Sequence, residues 1–148
     1  MRPRAAVILI ENNAIALIER HRAGMHYFAF PGGGVEPGET TEQAAIREMC
    51  EETGLQTKVV KLAAEVWHRG NQQFFYLVKS VGGIFGTGTG EEYSRPQVEY
   101  SQSGTYQPVW MPLDELLSQN VLPHSVAVMA ANSASTGWPD PIPVFEET

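Results

Sequence analysis

The stretch Gly33 to Leu55, GGVEPGETTEQAAIREMCEETGL, constrains this chain more than any other, because it sets a glycine-rich bend directly before a helix whose start and stop are both written into it. Thr40 followed by Gln43 has the form of a capping box, in which two side chains satisfy backbone N–H groups that a first helical turn leaves unpaired. Gly54 supplies the stop. The spacing predicts a helix over roughly 41–53. At about 100° per residue, with Glu48 at zero, Glu51 falls at about −60° and Glu52 at about +40°, so three carboxylates share an arc of about 100°. Ala45, Ile46, Met49 and Cys50 span the arc from about 60° to about 200°, which predicts an apolar face packed on a sheet with Cys50 as a small core residue.

Like charges crowded on one helix face are a cost, and the arrangement asks for a cation. Oxygen ligands grouped this way suit a hard ion, Mg²⁺ or Mn²⁺, which binds one or two carboxylates together with substrate phosphates. The glycines let backbone come close to a ligand, and the helix N-terminus beyond them favours an anion. An isolated EXXEE is more often a solvated helix face, so the surrounding residues decide between the two readings.

Those residues are Gly33, then Glu39, Arg47, Glu48, the apolar Met49, Glu51, Glu52, Gly54 and the apolar Leu55. In identity and spacing they match the Nudix box at every defined position, and the chain resembles the Nudix hydrolases. The approach Phe28–Gly33 and the segment Trp110–Leu116 also look like that family. The resemblance implies an α+β fold, an α/β/α sandwich with a mixed β-sheet between helices. It implies cleavage of a diphosphate bond in a nucleoside triphosphate or another nucleoside diphosphate-linked substrate, with Mg²⁺ or Mn²⁺ required. Carried over position by position, Glu48 and Glu52 would be the chief metal ligands and Glu51 a further ligand or an orienter of water. Arg47 would hold the carboxylates in place, Glu39 would support the loop, Gly33 and Gly54 would serve the turn and the helix end, and Gly33 and Gly34 are candidate substrate-binding positions. The general base in this family comes from the box or from a later loop, where Glu91 and Glu92 are the candidates and Glu99 a weaker one. The proline that marks the ADP-ribose type is absent, since position 71 is Asn71. A Nudix-like sensor that binds a nucleotide without turnover is the alternative, and the intact glutamate set counts against it.

Around the box, Ala5–Ile10 and Ala14–Glu19 read as a β-hairpin about Glu11-Asn12-Asn13. Tyr27–Phe30 reads as a short strand that Pro31 and the glycines end. Strands are expected over 57–67, 72–80 and 106–111, a short helix from Pro112 to Leu117, and a further helix over 123–134. The Gly-, Ser- and Thr-rich run 82–104 reads as a functional loop. The tail 135–148, interrupted by Pro139, Pro141 and Pro143, is expected to be irregular. Its apolar residues leave a homodimer contact open.

Among the remaining side chains, Arg20 and Arg22 are candidate phosphate donors and Phe28 a candidate stacking surface, each weighed against a solvated or core role. His68 is read as structural, and His21, His26 and His124 carry no supporting pattern. The 148 residues, 43% of them hydrophobic, suit a single domain. A net charge of −7 provides no basic footprint for a nucleic-acid polymer, which leaves a small nucleotide as the expected partner. The apolar run Ala5–Ile10 is too short for a membrane span, and one cysteine cannot form an internal disulfide, so a reducing cytoplasm is expected.

Overall fold

The computed structural model describes residues 2–88 and 104–147. The elements run β1 (Arg4–Ile8), β2 (Ile10–Glu11), β3 (Ala14–Arg22), β4 (Met25–Ala29), β5 (Gly32–Gly34), α1 (Thr41–Thr53), β6 (Leu55–His68) and β7 (Asn71–Gly83). After the undescribed segment come β8 (Gln107–Pro112), a 3₁₀ turn (Leu113–Glu115), β9 (Val121–Leu122), α2 (His124–Thr136) and β10 (Val144–Glu147). Two five-stranded sheets result. One is ordered β10-β6-β7-β1-β5; in the other, β2-β3-β4-β9 follow one another and β8 pairs with β3. Both mix parallel and antiparallel pairs, as β1 with β7 and β4 with β9 are parallel while β6 with β7 and β3 with β4 are antiparallel. The fold is α+β with mixed sheets. Among the described residues no helix is long and apolar enough to cross a membrane.

The expected N-terminal hairpin is half right. Asn12 and Asn13 do turn the chain, with φ of 52° and 60°, but the strand paired across them is β2. β1 instead joins the other sheet, between β7 and β5. Ala6 and Ile8 point into a core cluster shared with Val126, Ala127 and Ala130 of α2, while Ala5 and Val7 point into one shared with Ala44, Ala45 and Met49 of α1. A strand buried on both faces reads as a continuous apolar run, which the alternation rule for a half-exposed hairpin cannot place.

Two further expectations are corrected. Gly32–Gly34 do not merely end a strand; they form β5 and pair with Arg4–Ala6. The tail is not irregular throughout, because Val144–Glu147 add a parallel strand to Glu65–His68 of the same chain. Trp138 and Phe145 pack on the α2 core cluster.

Helix α1 forms as its sequence demands. The capping box is complete, with Gln43 N donating to Thr40 Oγ1 at 3.1 Å and Thr40 N donating to Gln43 Oε1 at 2.9 Å, and Gly54 closes the helix at φ 87°. Its buried residues are Ala44, Ala45, Met49, Glu52 and Thr53. Ile46 is 37% exposed and Cys50 is exposed as well, so Cys50 is not the core residue expected. The buried arc is turned by about 60° toward the carboxylates from the one that apolar residues alone define, and it carries Glu52 inward.

Candidate active site

The site lies where α1 crosses β5. Gly32 N donates to Glu52 Oε2 at 3.0 Å, and Glu52 is buried at 8% exposure. A buried carboxylate is costly unless hydrogen-bonded, and a backbone N–H from the glycine strand provides one such bond. Beside it, Gly33 leaves the space that Glu48 fills. A Cβ built on Gly33 would stand 2.4 Å from Glu48 Oε1, so no larger residue fits this approach without moving the carboxylate.

Arg47 is the hub. Its Nε and Nη2 donate to Glu39 Oε2 and Oε1 at 2.7 and 3.0 Å, a bidentate pair. Nη1 donates to Glu48 Oε1 at 2.9 Å and to Glu51 Oε2 at 3.2 Å, and Nη2 also donates to the carbonyl of Gly34 at 3.0 Å. One planar guanidinium thereby ties the glycine strand, the loop and two helix carboxylates together, which a lysine's point charge would not do. The hydrogen bonds from Arg47 and from Glu36 N hold the Glu39 carboxyl at a pKa of about 2, and the same contact with Glu39 raises Arg47 above its ordinary value. Glu51 is the most exposed of the three box glutamates, its side chain 42% accessible. The loop after β7 closes over the helix end, where Gly86 N donates to Thr53 O at 2.7 Å.

Glu52, Gly32 and Gly33 open onto a cleft of about 230 Å³ that Arg4, Arg20 and Tyr106 complete. It shares Arg4, Ala29, Phe30, Gly32 and Gly33 with the lining of a larger cavity of about 460 Å³ whose walls include Tyr27, His68, Gln73 and Glu147. Arg20 is buried, donates through Nε to Thr105 O at 2.9 Å, and stacks on Tyr106 with its guanidinium carbon 3.7 Å from the ring centroid.

Of the residues expected from sequence, Arg47, Glu48, Glu51, Glu52, Gly33, Gly34 and Arg20 are gathered here. Phe28 is not; it is buried in the α2 core cluster, and Tyr27 lines the cavity in its place. Arg22 is exposed beside the β3–β4 turn and lines neither cavity. Glu91, Glu92 and Glu99 lie outside the described residues. Arg4, Tyr27 and Tyr106 went unnoticed in the sequence. Arg4 carries no motif and reaches the site only because β1 lies against β5.

A fold of this kind, with a carboxylate helix held against a glycine strand by one arginine, has clear relatives. The NUDIX domain model matches residues 1–131, and the chain belongs to the NUDIX family. Among curated proteins, the chain is similar to an RNA pyrophosphohydrolase of Psychromonas ingrahamii, 46% identical over 67 residues that make up 45% of this chain and 36% of that one. It is also similar to an RNA pyrophosphohydrolase of Serratia proteamaculans, 43% identical over 63 residues, 43% of this chain and 35% of that one. The matched segment thus spans about a third of those relatives' own length. In fold, the chain is similar to a NUDIX hydrolase of Nitrosomonas europaea (TM-score 0.74, 15% identity, covering 99% of this chain and 79% of that one). It is also similar to an ADP-ribose pyrophosphatase of Streptococcus suis (TM-score 0.66, 14% identity, covering 99% and 98%). Identities this low speak to fold alone.

Proposed function

We propose that this chain is a divalent-metal-dependent pyrophosphohydrolase that cleaves a diphosphate bond in a nucleoside triphosphate or another nucleoside diphosphate-linked substrate. The observation that carries the reading is the placement of Glu48 and Glu52 against a glycine strand with no side chain in the way. The donor set is all oxygen and the Gly33 gap admits a close approach, so the residues fit Mg²⁺ or Mn²⁺. Glu48 and Glu52 would hold the ion with Glu51 assisting, and the ion would supply neutralisation of phosphate charge and a bound water of lowered pKa.

The chain's own groups do the rest. Arg47 fixes the direction of Glu48 and Glu51 and keeps the Gly34 carbonyl turned to the helix. Arg20 and Arg4 bring positive charge to the cleft that Glu52 shares, where a phosphate chain would lie. The larger cavity beside it has Tyr27, Gln73 and His68 for the moiety beyond the phosphates. The proton acceptor is assigned to the box or to Glu91 or Glu92. An intact set of Arg47, Glu48, Glu51 and Glu52 supports turnover over sensing, and the lone Cys50 supports a reducing cytoplasm.

The relatives' name adds a 5′-triphosphorylated RNA end as a second substrate to try, although the net charge of −7 favours small nucleotides. The test is a panel of nucleoside triphosphates, dinucleoside polyphosphates, nucleotide sugars, ADP-ribose and triphosphorylated RNA, each with Mg²⁺ and with Mn²⁺. Release of phosphate is scored against pyrophosphate. Glu52→Gln, which keeps shape and removes charge, is expected to lower kcat by about two orders of magnitude or more. Wild-type turnover in that variant, or no cleavage of any panel member by the wild type, overturns the reading.

A further inference from the structure

The β3–β4 hairpin carries a cluster that the cleft does not use. Ile18 and Arg20 line the cleft, so the alternation of a strand sends Glu19 and His21 to the opposite face. His21 stands directly across from His26 in the ladder, and the two strands are joined by a two-residue turn, Ala23-Gly24, with φ of 52° and 78°. Both central residues at positive φ make this the tight primed turn that fits the twist of its strands, so the platform is short and stiff.

On that platform the two imidazoles stack, centroids 4.3 Å apart and planes within 2°, and both Nε2 atoms lie near one carboxylate oxygen. His26 Nε2 lies 2.7 Å from Glu19 Oε2, and His21 Nε2 lies 3.6 Å from the same atom. All three ligand atoms fall within 4.8 Å of one another. With its proton on Nε2, His26 donates a hydrogen bond to Glu19 Oε2; with the proton on Nδ1 instead, Nε2 presents a lone pair toward the carboxylate, and a cation can take the place of the proton. Two imidazolium rings stacked face to face would repel each other. A single cation among the three donors satisfies all of them at once.

We propose that Glu19, His21 and His26 form a metal site, separate from the box glutamates, that takes Zn²⁺ or a neighbouring first-row ion in preference to Mg²⁺. Two imidazoles and a carboxylate are the donors that Zn²⁺ binds at about 2.0–2.2 Å, with water free to take a fourth position. Ligands at that range stand about 3.3 Å apart along a tetrahedral edge. The contacts of 2.7 and 3.6 Å bracket that separation, and the two rings must turn out of their parallel stack to bring both in-plane Nε2 lone pairs onto one ion. Imidazole nitrogen suits zinc, copper and nickel, whereas Mg²⁺ prefers oxygen throughout. Bound there, the ion would pin β3 to β4 across the strand that also carries Arg20.

The test uses the tag-free full chain with Glu48→Gln and Glu52→Gln introduced, so that the box no longer competes. Zn²⁺ binding is followed by calorimetry, Co²⁺ by its visible absorption, and thermal unfolding with and without Zn²⁺. The expected result is one equivalent of Zn²⁺, a strong four-coordinate Co²⁺ spectrum, and a zinc-dependent rise in Tm. His21→Ala and His26→Ala should each weaken binding at least tenfold and abolish that rise. Both histidines are about half exposed, so neither change removes core packing. Zinc binding by this protein that is unchanged by the histidine variants, or that is absent altogether, would overturn the proposal. Those outcomes are independent of whether any diphosphate is hydrolysed.

Discussion

Gly33→Ala separates the site's geometry from the stability of the fold. The added Cβ would lie 2.4, 2.5 and 2.7 Å from Glu48 Oε1, Cδ and Oε2. Ordinary contact begins at 3.4 Å, so the carboxylate must retreat by about 1.0 Å (3.4 − 2.4). Glu48 is the far end of a flexible side chain, and Gly33 is not among the positive-φ glycines, so the fold can absorb the methyl. Replacing glycine where alanine is allowed stabilises by about 0.4–1 kcal/mol through the unfolded chain, which offsets part of any strain and keeps Tm within about 4 °C of wild type. Catalysis is less tolerant. A displacement of about 1 Å in a positioned group costs about 10²-fold, or about 2.7 kcal/mol of barrier. The assay is pyrophosphate or phosphate release under saturating Mg²⁺, with thermal unfolding by circular dichroism in parallel. On a Glu48→Gln background the same glycine change should cost little more, because both act through one carboxylate. Undiminished kcat in Gly33→Ala, or full additivity of the two changes, would refute the role given to this contact.

Other consequences follow from single contacts. Glu39 sits at a pKa of about 2 against an ordinary 4.5, so its share of stability is complete above about pH 4.5 and is lost as pH falls toward 2. Glu39→Gln should therefore flatten the decline in urea midpoint between pH 5 and pH 2, and an unchanged acid limb would contradict the pairing. Glu147 Oε2 accepts from both Ser125 N and Ser125 Oγ at the start of α2, where a negative charge meets the helix dipole. Glu147→Ala should cost about 1 kcal/mol in chemical denaturation, and a neutral result would deny β10 its anchoring role.

How much of this could be read in the sequence depends on whether the information is local. Helix α1 is legible because Thr40, Gln43 and Gly54 act within a few residues of one another, and strands β6 and β7 are legible from their own β-branched and aromatic runs. What fails is pairing across long separations. β1 looks like one arm of a hairpin until Phe74 and Phe75 are seen lying alongside it, and β5 looks like a turn until Ala5 lies opposite Gly33. The helix wheel errs at Cys50 and Ile46 for a related reason. Apolar periodicity places the buried face by hydrophobicity alone, whereas Gly32 N draws Glu52 inward and turns the helix with it. The box residues are recognisable by spacing; the cleft's other walls, Arg4 and Tyr106, converge only through topology.

Electron paramagnetic resonance of Mn²⁺ added to the protein with a non-hydrolysable nucleotide, in the wild type and in Glu48→Gln/Glu52→Gln, tests most directly whether these carboxylates gather a divalent ion against a phosphorylated ligand. The wild type should bind Mn²⁺ in a nucleotide-dependent way, and the double variant at least tenfold more weakly. Equal Mn²⁺ affinity in the two proteins would contradict the account.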